Sequence, residues 1–132
     1  MAGESDLQKL LSGMRPELHP GRYVFTTVKG AVPSGATPVV TVAEPEGLTL
    51  VVRQEEADEA GLPYDYVAGW ITLRVHSALE AVGLTAAVSR ELAVAGLSCN
   101  VVAGFYHDHL FVPYENAGEA VAVLDGLARR SP

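Results

Sequence analysis

The sequence predicts an α+β fold of two similar units in tandem, each an antiparallel sheet covered by helices. Two observations carry this expectation. In the second half the hydrophobic period is two over residues 67–75, changes to that of a helix from Leu84 to Ala95, and then returns to short apolar runs. The chain also repeats itself: "LTLVVRQEEADEAG" (48–61) follows the pattern of "HLFVPYENAGEAVA" (109–122) at an offset of 61, and "YVFTTV" that of "ITLRVH" at an offset of 48.

Taken in order, "SDLQKLLSGM" reads as a short helix over 5–14. Ser5 and Gln8 make a capping-box pair, Leu7, Leu10, Leu11 and Met14 share a face, and Gly13 with Pro16 ends it. "RYVFTTV" (22–28) is rich in β-branched and aromatic residues and reads as a strand. "KGAVPSGATP" is a loop. "VVTVA" and "LTLVVR" form a hairpin, because Glu44-Pro45-Glu46-Gly47 suits a type I turn with proline second and glycine fourth. "QEEADEAG" reads as a short acidic helix with a solvated face, stopped by Gly61 and Pro63.

In the second half, "VAGWITLRV" (67–75) is a strand with Ile71, Leu73 and Val75 on one side and Trp70, Thr72 and Arg74 on the other. "HSALEAVG" is a loop or single turn. Leu84, Ala87, Val88, Leu92 and Ala95 then line one helical face, which Gly96 ends. Two strands, "LSCNVVAGF" and "HLFVP", flank a hairpin bend. A last helix carries the stripe Ala117, Ala120, Val121, Leu124 and Leu127, with Arg129 and Arg130 placed well for the dipole at its C-terminal end. The order β-α-β-β-α is a split β-α-β unit of ferredoxin-like type. The first copy is 13 residues shorter, the difference between the two offsets, and the deficit falls where its crossover helix belongs. The N-terminal helix is therefore expected to cover that gap. Domains are expected at 1–66, a degenerate unit with its leading helix, and 67–132.

Composition narrows the function. Apolar residues make up 48% and charged residues 19%, which favours a packed core over disorder. A net charge of −7 with scattered basic residues argues against a nucleic-acid partner. The single cysteine, Cys99, excludes an internal disulfide and reads as a small buried apolar residue. Residues 1–10 lack the basic and apolar regions of a signal peptide, and no apolar run reaches the ~18 residues of a membrane span. A soluble, cytoplasmic protein is expected. Trp70 and Phe105 are expected as core or interface aromatics.

The pattern in "EAVGLTAAVSRELAVAGLSCNVVAGFYHDHLFVP" (80–113) is a glycine-bearing loop, a helix ending in "AG", then a hairpin. With the strand before it, it resembles an ACT domain, and the whole of 5–128 resembles small tandem ACT-domain proteins related to the CASTOR-type amino-acid-sensing ACT domains. The resemblance implies a regulatory module that binds a small ligand, usually an amino acid, between ACT units. In the CASTOR-type sensors the equivalent hairpin carries an aspartate followed by apolar strand residues, and Asp108-His109-Leu110-Phe111 fits that pattern.

Three kinds of site compete for "GFYHDHLFVP" (104–113). His107, Asp108 and His109 could hold a metal, but no third histidine or cysteine lies nearby in sequence, and no metal or cofactor is expected. Catalysis is not expected either: Ser77 is only a chain neighbour of His76, and no G-x-S-x-G elbow exists. Ligand binding has a physical basis. Gly83, Leu84 and Thr85 open a helix whose free N–H groups attract a carboxylate, while Asp108 can accept from an ammonium. Asn100 and His107 are further candidates. The alternative makes Gly83 a loop glycine and Asp108 a turn former. The expected function is non-catalytic sensing of an amino acid by a homodimer, "NVVAGF" being apolar or small on both sides. The alternative is a ligand-free dimerisation or partner-docking module.

Overall fold

The computed structural model describes residues 3–131. The elements are α1 (Leu7–Gly13), β1 (Pro16–Leu18), β2 (Tyr23–Val28), β3 (Val40–Glu44), β4 (Gly47–Arg53) and α2 (Gln54–Ala60). They continue with β5 (Val67–Leu73), α3 (Leu84–Val94), β6 (Asn100–Ala103), β7 (Asp108–Pro113) and α4 (Ala117–Arg130), the last entered through a 3₁₀ turn at Tyr114–Asn116. Two compact units result: residues 21–68, and the residues up to 20 together with those from 69 onward.

In the inner unit, 21–68, the strands lie in the order β3-β4-β2, with the first two residues of β5 beside β2. The β3–β4 hairpin closes with Glu44 opposite Gly47, as the Pro45-Glu46 turn predicts. Val24, Leu50 and Val52 project from neighbouring strands onto Ala57 of α2, and all four are fully buried. Gly61 stops α2 with φ of 66°, its N–H donating to the carbonyls of Ala57 and Asp58. No helix crosses between β2 and β3. Val32 and Ala36 of the intervening loop pack against the core instead, with Leu62 and Tyr64 beside them. The hydroxyl of Thr26 donates to the carbonyl of Pro63 over 2.6 Å, which satisfies a buried polar group and ties the following loop to β2.

In the outer unit the order is β6-β7-β5, and β1 pairs antiparallel with β5 through Pro16↔Leu73, Glu17↔Thr72 and Leu18↔Ile71. Numbered from β5, β1 stands where the fourth strand of a ferredoxin-like sheet belongs, although it precedes the others in the chain. The opening of β5 fills the same place in the inner unit. Composition hid β1, because "PEL" carries no strand signal and a proline is tolerated only at an edge. Arg74 secures the edge, its Nε donating to Glu17 Oε1 over 2.8 Å.

Helix α1 does not cover the gap in the first copy. Leu10, Leu11 and Met14 are buried with Ile71, Leu73, Leu84, Val88, Leu92 and Leu124, in the core beneath α3 and α4. The reason is mutual: loop residues already cover the inner sheet, while the outer sheet and its two long helices leave an apolar groove that an amphipathic turn can fill. The capping pair also differs from expectation. Asp6 is the N-cap, its side chain accepting from Lys9 N–H over 3.1 Å. Where β5 passes the start of α4, a methyl group on Gly69 would come within 2.7 Å of Ala117 Cβ, so this strand glycine permits the close approach. No helix among the described residues is long and apolar enough to cross a membrane.

Candidate functional site

Asp108 opens β7 with its side chain on the helix-covered side of the sheet. It is 7% exposed, unusual for a carboxylate. Burial pushes its carboxyl above the ordinary value, while a hydrogen bond from the Ser77 side chain and the nearby charge of His107 pull it back. Ser77, Ala78, Leu79, Ala81, Leu84, Thr85, Ala103 and Asp108 line one cleft of about 140 Å³. No basic residue lies among them. One wall is the first turn of α3, whose N-cap, Gly83, has φ of 104° and offers no side chain to the free N–H groups. The cleft thus presents a carboxylate from one element and a positive helix end from another.

Of the residues singled out from sequence, Leu84, Thr85 and Asp108 meet in this cleft. Gly83 stands at its edge, and a methyl group there would lie 3.1 Å from Leu7 Cδ2. Asn100 is exposed at the start of β6, opposite Phe111, and does not line the cleft. His107 is half-buried in the hairpin turn, where its carbonyl accepts from Gly104 N–H over 2.8 Å. It too stays outside the lining. Phe105 is 66% exposed and Tyr106 63%, so the hairpin tip holds an exposed aromatic pair rather than a core residue. Ser77, Ala78, Leu79, Ala81 and Ala103 are the lining residues that sequence reasoning missed. The signal would have been the neighbour relation of β5 and β7, which brings the end of one toward the start of the other.

His109 faces away from Asp108, as alternate strand residues must. Its Nδ1 accepts from the indole N–H of Trp70 over 3.1 Å and lies 3.0 Å from Thr72 Oγ1. The same hydroxyl lies 2.7 Å from His19 Nε2, and the His19 ring stacks on Trp70 at 3.6 Å. Because indole can only donate, His109 Nδ1 must be the acceptor and its proton sits on Nε2. Asp108 and His109 therefore cannot share one ligand. Cys99 is half-buried, its thiol pushed up to about 11 by burial, an inert packing residue.

Both histidines of this network should make stability fall with acid. Burial lowers the pKa of each below the ordinary 6.5, with His107, His19 and Arg74 adding to the effect at His109, and Glu17 opposing it at His19. The unfolded chain then binds protons first. Stability is complete above the unfolded value and declines as pH falls through it toward the lowered folded one. The melting temperature should drop between about pH 7.5 and 5.5, and less so in His109→Gln. A drop of the same size in that variant would show that the network does not set the trend.

The whole chain compares with known proteins as follows. Two ACT-domain models match, one over residues 2–69 and one over 66–125. No curated protein matches. A protein of unknown function from Vibrio cholerae, VC0802, described as a possible transport protein, shares 51% identity over 92% of this chain and 95% of its own, with a TM-score of 0.84. Protein Atu0741 from Agrobacterium tumefaciens has a TM-score of 0.73 at 18% identity, covering 87% of this chain and 89% of its own. The ligand-free regulatory subunit of aspartate kinase from Thermus thermophilus, at 9% identity, shares the fold with a TM-score of 0.59 over 85% of this chain and 95% of its own. ACT domains are regulatory, small-ligand-binding modules. With one model covering its first half and another most of its second, this chain belongs to the ACT-domain family, two such domains in tandem.

Proposed function

We propose that the protein is a non-catalytic sensor that binds a small amino acid in the cleft between Asp108 and the first turn of α3. One observation carries this reading: Thr85 and Asp108, distant in sequence, line the same cleft and present opposite electrostatic signs. The α-carboxylate would meet the N–H groups of Leu84 and Thr85, and the ammonium would meet Asp108. The volume, about 140 Å³, is well below that of drug-sized ligand sites. Alanine, serine, threonine or valine fits this size better than an aromatic amino acid. Gly83 belongs to the site through the turn it allows, and Asn100 and His107, outside the cleft lining, have no part in it. Dimerisation through the free edge of β6 goes with this reading, since β6 ends the order of strands. So does a cytoplasmic location, in keeping with the lone thiol.

Calorimetric titration of the L- and D-forms of alanine, serine, threonine, valine and phenylalanine tests the proposal. Saturable binding of small L-amino acids with rejection of the D-forms is expected; binding of none would end it. A second reading has its own observation. Leu79, Val82, Phe105 and Tyr106 are 63–82% exposed around the cleft, an apolar rim suited to a protein partner. If no amino acid binds and the chain is a dimer by light scattering, the docking-module reading gains.

A further inference from the structure

The segment that forms one wall of the cleft is fixed by the N-terminal stretch of the chain. Glu4 N–H donates to the His76 carbonyl and Ala78 N–H donates to the Glu4 carbonyl, each over 2.8 Å, so that Glu4 and Ser77 form an isolated parallel bridge. Gly3 approaches more closely than any other residue type could. A methyl group there would lie 2.6 Å from the Ser77 carbonyl carbon, 2.7 Å from Ala78 N and 2.8 Å from the His76 carbonyl oxygen, all of them backbone atoms. A second cleft of about 250 Å³ is lined by Gly3, His76, Phe105 and residues 77–80. Residues 77–79 border both clefts. The two backbone hydrogen bonds to Glu4 tie this wall to the N-terminal stretch.

Ser77 sits at the centre of the bridge and lines the same cleft as Asp108, whose carboxyl its hydroxyl pulls back toward the ordinary value. A serine hydroxyl that donates its proton to a carboxylate keeps lone pairs on its oxygen that can accept an N–H. We propose that the Gly3–Glu4 strap positions Ser77 so that its hydroxyl and Asp108 grip the ligand ammonium together. Ser77 is then a binding residue and Gly3 a positioning residue of the amino-acid site. The inference rests on the reading above for the nature of the ligand, but the strap itself can be tested without one.

L-Valine and L-threonine serve as probes in calorimetry with the parent, Gly3→Ala, Ser77→Ala and Ser77→Thr. Gly3→Ala and Ser77→Ala should each weaken binding about three- to tenfold, with cooperative melting retained, while Ser77→Thr keeps the hydroxyl and the affinity. Parent-like binding by either alanine variant overturns the proposal. If the parent binds neither probe, nor alanine, serine or phenylalanine, the sensing reading fails and the strap is judged by carbon NMR of the Asp108 carboxyl. Ser77→Ala should raise its titration midpoint by removing a donor, and Gly3→Ala should move it the same way. An unmoved midpoint in Gly3→Ala refutes the strap, and should that variant not fold, an unmoved midpoint in Ser77→Ala refutes the grip.

Discussion

Leu10→Ala should destabilise the protein by about 2–5 kcal/mol, and the loss should appear first in the outer unit. Leu10 is fully buried against Leu84, Val88, Leu92 and Leu124, residues that come from elements far along the chain. Truncation leaves a cavity that α3 and α4, braced by the Glu91–Arg130 ion pair, cannot easily collapse into. The size of the effect is a large share of what a domain of this length possesses. Hydrogen exchange followed residue by residue is the measurement. The amides of α3, α4 and β7 should lose protection, whereas those of Val24, Leu50 and Val52 in the inner unit should lose less. Faster exchange confined to the inner unit would mean that α1 guards the first copy after all.

Asp108→Asn should separate binding from folding. A charge-assisted hydrogen bond to an ammonium is worth about 1.5–3 kcal/mol, so the variant should bind small amino acids roughly tenfold or more weakly. Its stability should move the other way. Since burial raises the carboxyl above 3.8, the folded chain holds this proton to higher pH than the unfolded chain does. The stability that protonation contributes is complete below the unfolded value and lost as pH rises through the folded one. At neutral pH the ionised carboxylate therefore works against folding, and the neutral amide should melt at or above the parent temperature. The difference should close as pH is lowered toward the ordinary carboxylate range. A variant that melts lower than the parent at neutral pH, yet binds as well, would assign Asp108 a purely structural role.

Most of the fold was legible because it is written in short-range patterns. The alternation of Ile71 and Leu73, the stripe of Leu84, Val88 and Leu92, and the Pro45-Glu46 turn each reflect a local rule, and each places its element within a residue or two. What escaped depends on partners remote in sequence. Strand β1 exists only because β5 offers an edge to Pro16, Glu17 and Leu18. Helix α1 has an apolar face that fits either copy by composition, and the choice rests on residues remote from it: loop residues such as Val32 and Ala36 that cover the first copy, and the groove that the second leaves open. The candidate site divides the same way. The aspartate in the hairpin and the glycine before the helix are conspicuous in one dimension, but Ser77 and Ala103 become wall residues only when β5 and β7 are neighbours.

The position of β1 and α1 bears on how the chain comes to fold. The outer unit takes its fourth strand and part of its core from residues synthesised before the inner unit, and the rest from residues synthesised after it. On the ribosome, the inner unit emerges as an uninterrupted stretch and can assemble while translation continues. Leu10, Leu11 and Met14 must wait, uncovered, until α3 and α4 arrive. Closing that long loop costs little in equilibrium, since its entropy grows only with the logarithm of its length, but it delays the last contacts. A gene cut after residue 66 would accordingly yield a C-terminal fragment without its outer strand, and a peptide spanning 1–20 should supply the missing strand and helix in trans.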